Sequence, residues 1–285
     1  MSARATIAHC LAAAQQGLAD SDSPRLDAEL LLAHVLGVTR THLHAWPEQE
    51  LDQHEQAAFT ALIQRRAAGE PVAYLLGERE FWSLPLRVTP DTLIPRPETE
   101  LLVEQALARI PKDAAQDIVD LGTGSGAIAL ALAHERPRCR IIATDRSLAA
   151  LAVARDNAAR LGIANVAFVA GDWFAPLAGH RFHVVASNPP YVAQADPHLQ
   201  AGDVRFEPAD ALKAGEAGLD DLTRLIEAAP AHLLPGGCLL LEHGFDQGAA
   251  VRALLHRHGF EAVETVRDYA GNERLSLART VASNE

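Results

Sequence analysis

The first third of the chain and the remainder follow different hydrophobic patterns. Over residues 1 to about 75, apolar positions recur at helical spacing and strand signals are almost absent. Leu26, Leu30, Leu31 and Val35 fall at i, i+4, i+5 and i+9 behind Asp22, Ser23 and Pro24, a polar start with proline in the first turn, and Gly37 supplies a stop. A second helix is predicted from about Asp52 to Ala68, with Phe59, Leu62 and Ile63 inward. This part reads as a small helical bundle. Glu80 to Val88 then reads as two short strands around a turn, a hairpin linking the halves. The proline-rich segment Ile94 to Glu100 leads into a helix at about 98–109, whose first turn carries Glu98 and Glu100.

Beyond residue 115 short apolar runs alternate with helical patterns. Strands are predicted at 117–120, 140–143, 166–169, 182–186 and 238–241, with helices at 127–134, 148–161, 219–233 and about 246–258. Two last strands, about 260–267 and 273–280, are joined by Asp268 to Asn272, a linker suited to an antiparallel return. Such alternation gives an α/β, doubly wound and mostly parallel sheet. The predicted organisation is a helical domain over 1–75, a hairpin and linker over 76–97, and an α/β domain over 98–285.

Composition narrows the setting. The formal net charge is −12, and Lys112 and Lys213 are the only lysines. That balance opposes a protein held to nucleic acid by phosphate contacts. Cys10, Cys139 and Cys238 stand at no metal or redox spacing, as suits a reducing cytoplasm. No signal peptide is read, and the longest apolar run, Ala127 to Ala133, is too short to span a bilayer. His256 and His258 have a metal-like spacing without an acid or cysteine partner, so no metal is expected.

The chemistry gathers at predicted strand ends. Gly122, Thr123, Gly124, Ser125 and Gly126 follow the first strand, where glycines permit a sharp turn and close backbone approach by a ligand. Asp145 ends the next strand and can accept both hydroxyls of a ribose. Asp120, which opens the loop, is unwelcome beside a pyrophosphate but suits a cationic ligand such as S-adenosylmethionine. Asp172 and Trp173 end the third strand, where the carboxylate can accept from an adenine amino group and the indole can cover the ring. A turn aspartate with a half-buried tryptophan would look the same.

The fourth strand ends in Asn188-Pro189-Pro190-Tyr191. Two prolines stop a strand and stiffen the corner. An amide nitrogen is a poor nucleophile because its lone pair is delocalised. The Asn188 side-chain oxygen and the Pro189 carbonyl can each accept one N–H of a planar NH2 group, and Tyr191 can pack on that group. The lone pair is then aimed at a methyl donor by positioning and carbonyl electrostatics.

Together Phe81-Trp82-Ser83, Ile94 to Glu100, Asp120 to Gly126, Ser187 to Tyr191, Arg205 to Pro208, and Asp268-Tyr269 through Asn272-Glu273-Arg274 resemble the release factor glutamine methyltransferase family (PrmC/HemK). The resemblance covers nearly the whole chain. It implies a Rossmann-like methyltransferase domain with a seven-stranded sheet whose last strand is antiparallel. It implies transfer from S-adenosylmethionine, leaving S-adenosylhomocysteine, to the amide nitrogen of a glutamine in the Gly-Gly-Gln loop of class 1 peptide chain release factors. Cofactor contacts fall at Gly122 to Gly126, Asp145, Trp173 and Asn188, and glutamine contacts at Asn188, Pro189, Pro190 and Tyr191. Arg96 and Glu98 become wall residues near the cofactor entrance, and the helical domain helps to grip the release factor. The implied protein is a cytoplasmic monomer that binds neither membrane nor nucleic acid directly. The competing reading is a nucleic-acid adenine-N6 methyltransferase, which shares the Asn-Pro-Pro-Tyr corner. Net acidity, the lack of a basic run and the lack of a base-reading domain oppose it. A non-catalytic binding module would not need the acceptor corner. The polar loop at about 193–204 is the candidate segment to fold over a partner.

Overall fold

A computed structural model describes residues 5–200 and 202–282. The chain divides into two compact units, Met1–Glu78 with Gln200–Phe206, and Arg79–Leu199 with Glu207–Glu285.

The first unit holds five helices: α1 (Ile7–Gly17), α2 (Pro24–Leu36), α3 (Arg40–Ala45), α4 (Gln53–Ala67) and α5 (Val72–Leu76). Sequence reasoning located α2 and α4 and left the three others within an undivided bundle. Local signals set the ends. Thr6 caps α1, Asp52 and Glu55 form a reciprocal capping box on α4, and Gly37 closes α2 in the left-handed region. Ile7, Leu31, Leu32, Leu43 and Phe59 form the core. The buried face of α2 differs from the predicted stripe: Ala28, Leu31 and Leu32 are buried, whereas Leu26 is exposed. Residues 200 and 202–206 join this unit. Asp203 pairs with the nearly buried Arg66, which also binds Asp27, and Arg205 donates to the Ala68 carbonyl.

A hairpin follows, β1 (Glu78–Phe81) and β2 (Leu84–Arg87), which belongs to the second unit from Arg79 onward. Trp82 and Ser83 turn it at φ values of 54° and 59°, the left-handed geometry that two-residue hairpins require. Helix α6 (Glu100–Leu107) follows a short 3-10 turn, Pro97–Thr99. Then come β3 (Asp117–Leu121), α7 (Ala127–Glu135), β4 (Arg140–Asp145), α8 (Leu148–Leu161), β5 (Val166–Ala170), β6 (Phe182–Ser187), α9 (Asp220–His232), β7 (Leu233–Glu242), α10 (Gly248–Arg257), β8 (Glu261–Arg267) and β9 (Glu273–Arg279). β7 starts earlier than the predicted 238. Leu233 already pairs with Phe182 across a register shift, so Pro235-Gly236-Gly237 lies within the strand.

The seven strands run in the order β5-β4-β3-β6-β7-β9-β8. Pairings are parallel from β5 to β7, and β9 is antiparallel to both of its neighbours. Side chains alternate across the sheet. Ile118, Val184 and Leu240 enter one apolar layer with α6 and α7, while Val119, Val185 and Leu239 enter the other with α9 and α10. Chain order reverses between β3 and β6, so the crevice for a ligand opens at the carboxyl ends of those two strands.

Candidate active site

Leu121 and Ser187, the last residues of β3 and β6, are direct partners in the parallel register. Ser187 Oγ donates to the Leu121 carbonyl at 2.7 Å. The glycine loop and the Asn-Pro-Pro-Tyr corner therefore leave the sheet side by side. A cavity of about 560 Å3 opens there. Gly122, Gly124, Asp145, Asp172, Trp173, Asn188 and Pro190 line it, and residues 90–93, 146–147, 150, 171 and 208–211 form the remaining wall.

The glycine loop is held by its own backbone. Gly122 and Thr123 both donate to the Thr144 carbonyl at 2.9 Å, and Gly124 N–H donates to Asp145 Oδ2 at 2.9 Å. Asp145 Oδ1 accepts from Ser147 N–H at 2.8 Å. Each oxygen of that carboxylate keeps a lone pair for a further donor. Gly122 and Gly124 have φ of 75° and 57°, a region that L side chains enter with strain. Trp173 is one of few non-glycine residues at positive φ, 49°. Its indole N–H donates to Asp221 at 3.2 Å, and its ring lies against Gly122. Asp172 is paired with Arg224.

Thr123, Ser125 and Gly126 do not line the cavity. The Thr123 hydroxyl donates to Asp120 Oδ2 at 2.6 Å, the Ser125 carbonyl accepts from Asn157 Nδ2 at 2.9 Å, and Gly126 caps α7. These residues shape the loop from below. Asp120 is fully buried, and its Oδ1 meets no hydrogen-bond partner among the described residues. Burial pushes its carboxyl up to about 7, against the Thr123 and Ala129 hydrogen bonds that favour the charged form.

At the corner, Asn188 Nδ2 donates to Thr99 Oγ1 at 3.1 Å. Among the described residues no donor meets Asn188 Oδ1. Pro189 is buried, and the Tyr191 hydroxyl turns away from the cavity to Glu242 Oε1 at 3.3 Å. Burial, then the Glu242 charge, raises the Tyr191 phenol well above its ordinary range. Arg96 does not line the cavity either; its guanidinium pairs with the buried Glu207, whose other oxygen accepts Ile94 N–H at 3.1 Å.

The PrmC N-terminal domain family is matched over residues 9–77 and the methyltransferase small domain family over 97–215. The chain is 56% identical over 271 residues to the release factor glutamine methyltransferase of Salmonella typhimurium, a match covering 95% of this chain and 98% of that protein. This chain belongs to the release factor glutamine methyltransferase family. The Escherichia coli member is 54% identical with the same coverage, and the Pseudomonas aeruginosa member is 53% identical over 92% of this chain and 95% of its own. Solved methyltransferases share the fold at lower identity. A Pyrococcus furiosus methyltransferase aligns with TM-score 0.54 at 20% identity, covering 79% of this chain and 98% of that one. A T. thermophilus 16S rRNA methyltransferase in complex with AdoMet and guanosine aligns with TM-score 0.54 at 19%, covering 71% and 49%.

In this release factor glutamine methyltransferase family member, sequence reasoning missed three groups at the site. Residues 90–93 and 209–211 line the cavity but carry no motif. Arg146 does so as well, and bonds the Asp210 carbonyl at 3.0 Å. Asn157, inside α8, joins the Ser125 carbonyl to both backbone groups of Arg87. An asparagine at an apolar helix position was the available signal for that last link.

Proposed function

We propose that the chain transfers a methyl group from S-adenosylmethionine to the side-chain amide nitrogen, N5, of the glutamine in the Gly-Gly-Gln loop of class 1 peptide chain release factors. The family supports the reaction and the acceptor. The donor set of the cavity supports the cofactor. Asp145 has lone pairs for ribose hydroxyls, the backbone of Gly122 and Gly124 is open to contact, and Trp173 offers an aromatic face. Asp172 accepts from the adenine amino group through the lone pairs its Arg224 pair leaves, and the acid-rich wall suits a cationic ligand. When bound, the cofactor supplies an electrophilic sulfonium methyl.

The observation that carries the reading is the Asn188 amide, fixed through Nδ2 with Oδ1 left unpartnered at the cavity. In the proposed step Asn188 Oδ1 and the Pro189 carbonyl accept the two N–H groups of the substrate amide. They hold its nitrogen and favour the pyramidal form, while Pro190 and the Tyr191 ring flank the planar group. The proton leaves after the methyl arrives, so no strong base is required. The helical unit contributes to gripping the release factor. The setting is the cytoplasm, with the enzyme acting as a monomer and releasing S-adenosylhomocysteine. Among the described residues no helix is long and apolar enough to cross a membrane.

The deciding experiment is a transfer assay with methyl-labelled cofactor and three acceptors: unmodified release factor, the same factor with its loop glutamine replaced, and unmethylated DNA. Label in the first alone is expected. Label in the DNA with none in the release factor would move the assignment to nucleic acid.

A further inference from the structure

Tyr191 is fastened at both ends by the junction of β7 and α10. Its hydroxyl donates to Glu242 Oε1 at 3.3 Å, and its carbonyl accepts from Gln247 Nε2 at 3.0 Å. Glu242 is the last residue of β7, and Gln247 stands at the N-cap of α10. The same Nε2 lies 3.2 Å from the Gly218 carbonyl and 3.4 Å from that of Ala217. Those carbonyls follow a segment that runs beside the corner. Val192 N–H donates to the Leu212 carbonyl, and Ala214 N–H donates to the Val192 carbonyl. The meeting point has no slack. A Cβ built on Gly218 would stand 2.3 Å from the Tyr191 carbonyl oxygen and 2.8 Å from Gln247 Nε2.

The partners of Gln247 settle the direction of its amide. Oε1 accepts Gly244 N–H at 2.8 Å, while Nε2 faces backbone carbonyls, which only accept. The flipped amide would set hydrogens against an N–H and an oxygen against carbonyls. The Gly244 end is itself anchored. Its carbonyl accepts from Gln247 N–H at 3.0 Å and from His243 Nδ1 at 2.8 Å. His243 Nε2 is hydrogen-bonded in turn to Ser276 Oγ on β9 at 2.9 Å, and both residues are buried. Gln247 lies outside the cavity lining, so it can act on the acceptor only through the corner. We propose that Gln247 is a positioning residue for the acceptor: holding the Tyr191 carbonyl from this anchored turn, it sets the place of the ring that flanks the substrate amide. This deepens the glutamine methyltransferase reading and rests on it for its kinetic consequence.

The test compares Gln247→Glu, Gln247→Met and Leu255→Ala. Gln247→Glu keeps the oxygen that Gly244 N–H requires and turns a second oxygen on the carbonyls. Gln247→Met gives up both kinds of bond at similar length. Leu255 is buried about two turns further along α10, so Leu255→Ala controls for lost stability without touching the corner. Single-turnover methyl transfer at saturating release factor and cofactor is expected to fall about tenfold or more in both Gln247 variants. Calorimetric affinity for S-adenosylmethionine should change less than about twofold in them. Leu255→Ala, assayed well below its melting temperature, should transfer within about twofold of the wild type. Wild-type transfer in Gln247→Glu would show that the residue serves only the Gly244 turn, and would overturn the inference. An equal loss in Leu255→Ala would do the same. Gln247→Glu, which keeps the turn, carries the comparison if Gln247→Met melts below the assay temperature. The chain has three tyrosines, so fluorotyrosine labelling supplies a readout that needs no acceptor. The Tyr191 signal, assigned by its loss in Tyr191→Phe, should shift in both Gln247 variants and hold its place in Leu255→Ala. An unmoved signal in Gln247→Glu would overturn the inference whatever the activity. A wild type that labels no release factor, with the signal moving as expected, would overturn the functional reading alone.

Discussion

Gly122 lies directly beneath the ring of Trp173. A Cβ built on Gly122 would stand 2.8 Å from Trp173 Cζ3, and the glycine φ is +75°. The two residues follow different strands, β3 and β5, and their contact sets the distance between the glycine loop and the aromatic wall. Gly122→Ala is therefore expected to destabilise by about 2–3 kcal/mol, from left-handed backbone strain plus a displaced ring. That corresponds to a melting temperature lower by several degrees, roughly 4–10 °C for a domain of this size, with cofactor affinity reduced as well. An alanine variant that melts and binds like the wild type would show that the ring moves aside freely.

Asn188 and Asp145 divide the work between acceptor and cofactor. Asn188→Ala should reduce turnover by about a hundredfold or more while cofactor affinity falls much less, because only the acceptor loses its oxygen. Asp145→Ala should act chiefly on cofactor affinity, since its carboxylate both braces Gly124 and faces the cavity. Calorimetry with S-adenosylmethionine beside single-turnover transfer measures the division. Equal losses of both quantities in Asn188→Ala would contradict it.

Two buried carboxyls make stability depend on pH. Burial raises Asp120 from 3.8 and Glu242 from 4.5, each to about 7. The folded protein thus holds protons that the unfolded chain releases. Their contribution is complete below the unfolded values and is lost as pH rises through about 7. Glu29 and Asp268 oppose this trend. Burial would raise both, but Arg25 and Arg40 around Glu29, and the Asn272 N–H with Arg274 at Asp268, bring them below the ordinary range. Their contribution is present above the unfolded values and is lost on acidification. Glu242→Gln removes one rising group and keeps an acceptor oxygen. Relative to the wild type, it should gain on the order of 2 kcal/mol in stability between pH 5 and pH 8. Denaturant melts at both pH values measure the difference, and a constant offset would rule out titration of Glu242 in that window.

Glu207 holds the outer wall of the cavity. Its carboxylate pairs with Arg96 and accepts Ile94 N–H, so the chain before residue 95 and the chain after residue 207 are tied together. Residues 90–93 and 208–211, on either side of that tie, line the cavity. Glu207→Ala leaves the guanidinium and the amide without this acceptor, and should lower cofactor affinity by about tenfold or more. Loss of stability with unchanged affinity would assign Glu207 to the fold alone.

Much of the α/β unit was legible in advance, because parallel strands covered on both faces read as short apolar runs between helices. Val119 and Val185 mark such runs, and the glycine loop, Asp145 and Asn188 follow directly from their ends. The helical unit was less legible. Leu26 fits a helical stripe yet is exposed, because apolar spacing cannot say which side of α2 meets α1 and α4. β7 was shortened for a related reason: Pro235-Gly236-Gly237 reads as a break until Phe182 is seen to pair with Leu233.

The sequence by itself determined the alternation of strands and helices, the rigid proline corner, and the residue types able to meet a nucleoside and a planar amide. These are local properties, set by side-chain period and backbone freedom. The tertiary structure decided which of those residues face the cavity. Thr123, Ser125 and the Tyr191 hydroxyl turn away from it, and residues 90–93 and 208–211 enter it. It also decided the direction of the Asn188 amide, because that depends on a hydroxyl 89 positions earlier. Hydrogen-bond polarity belongs to groups brought together by packing, and no spacing along the chain records it.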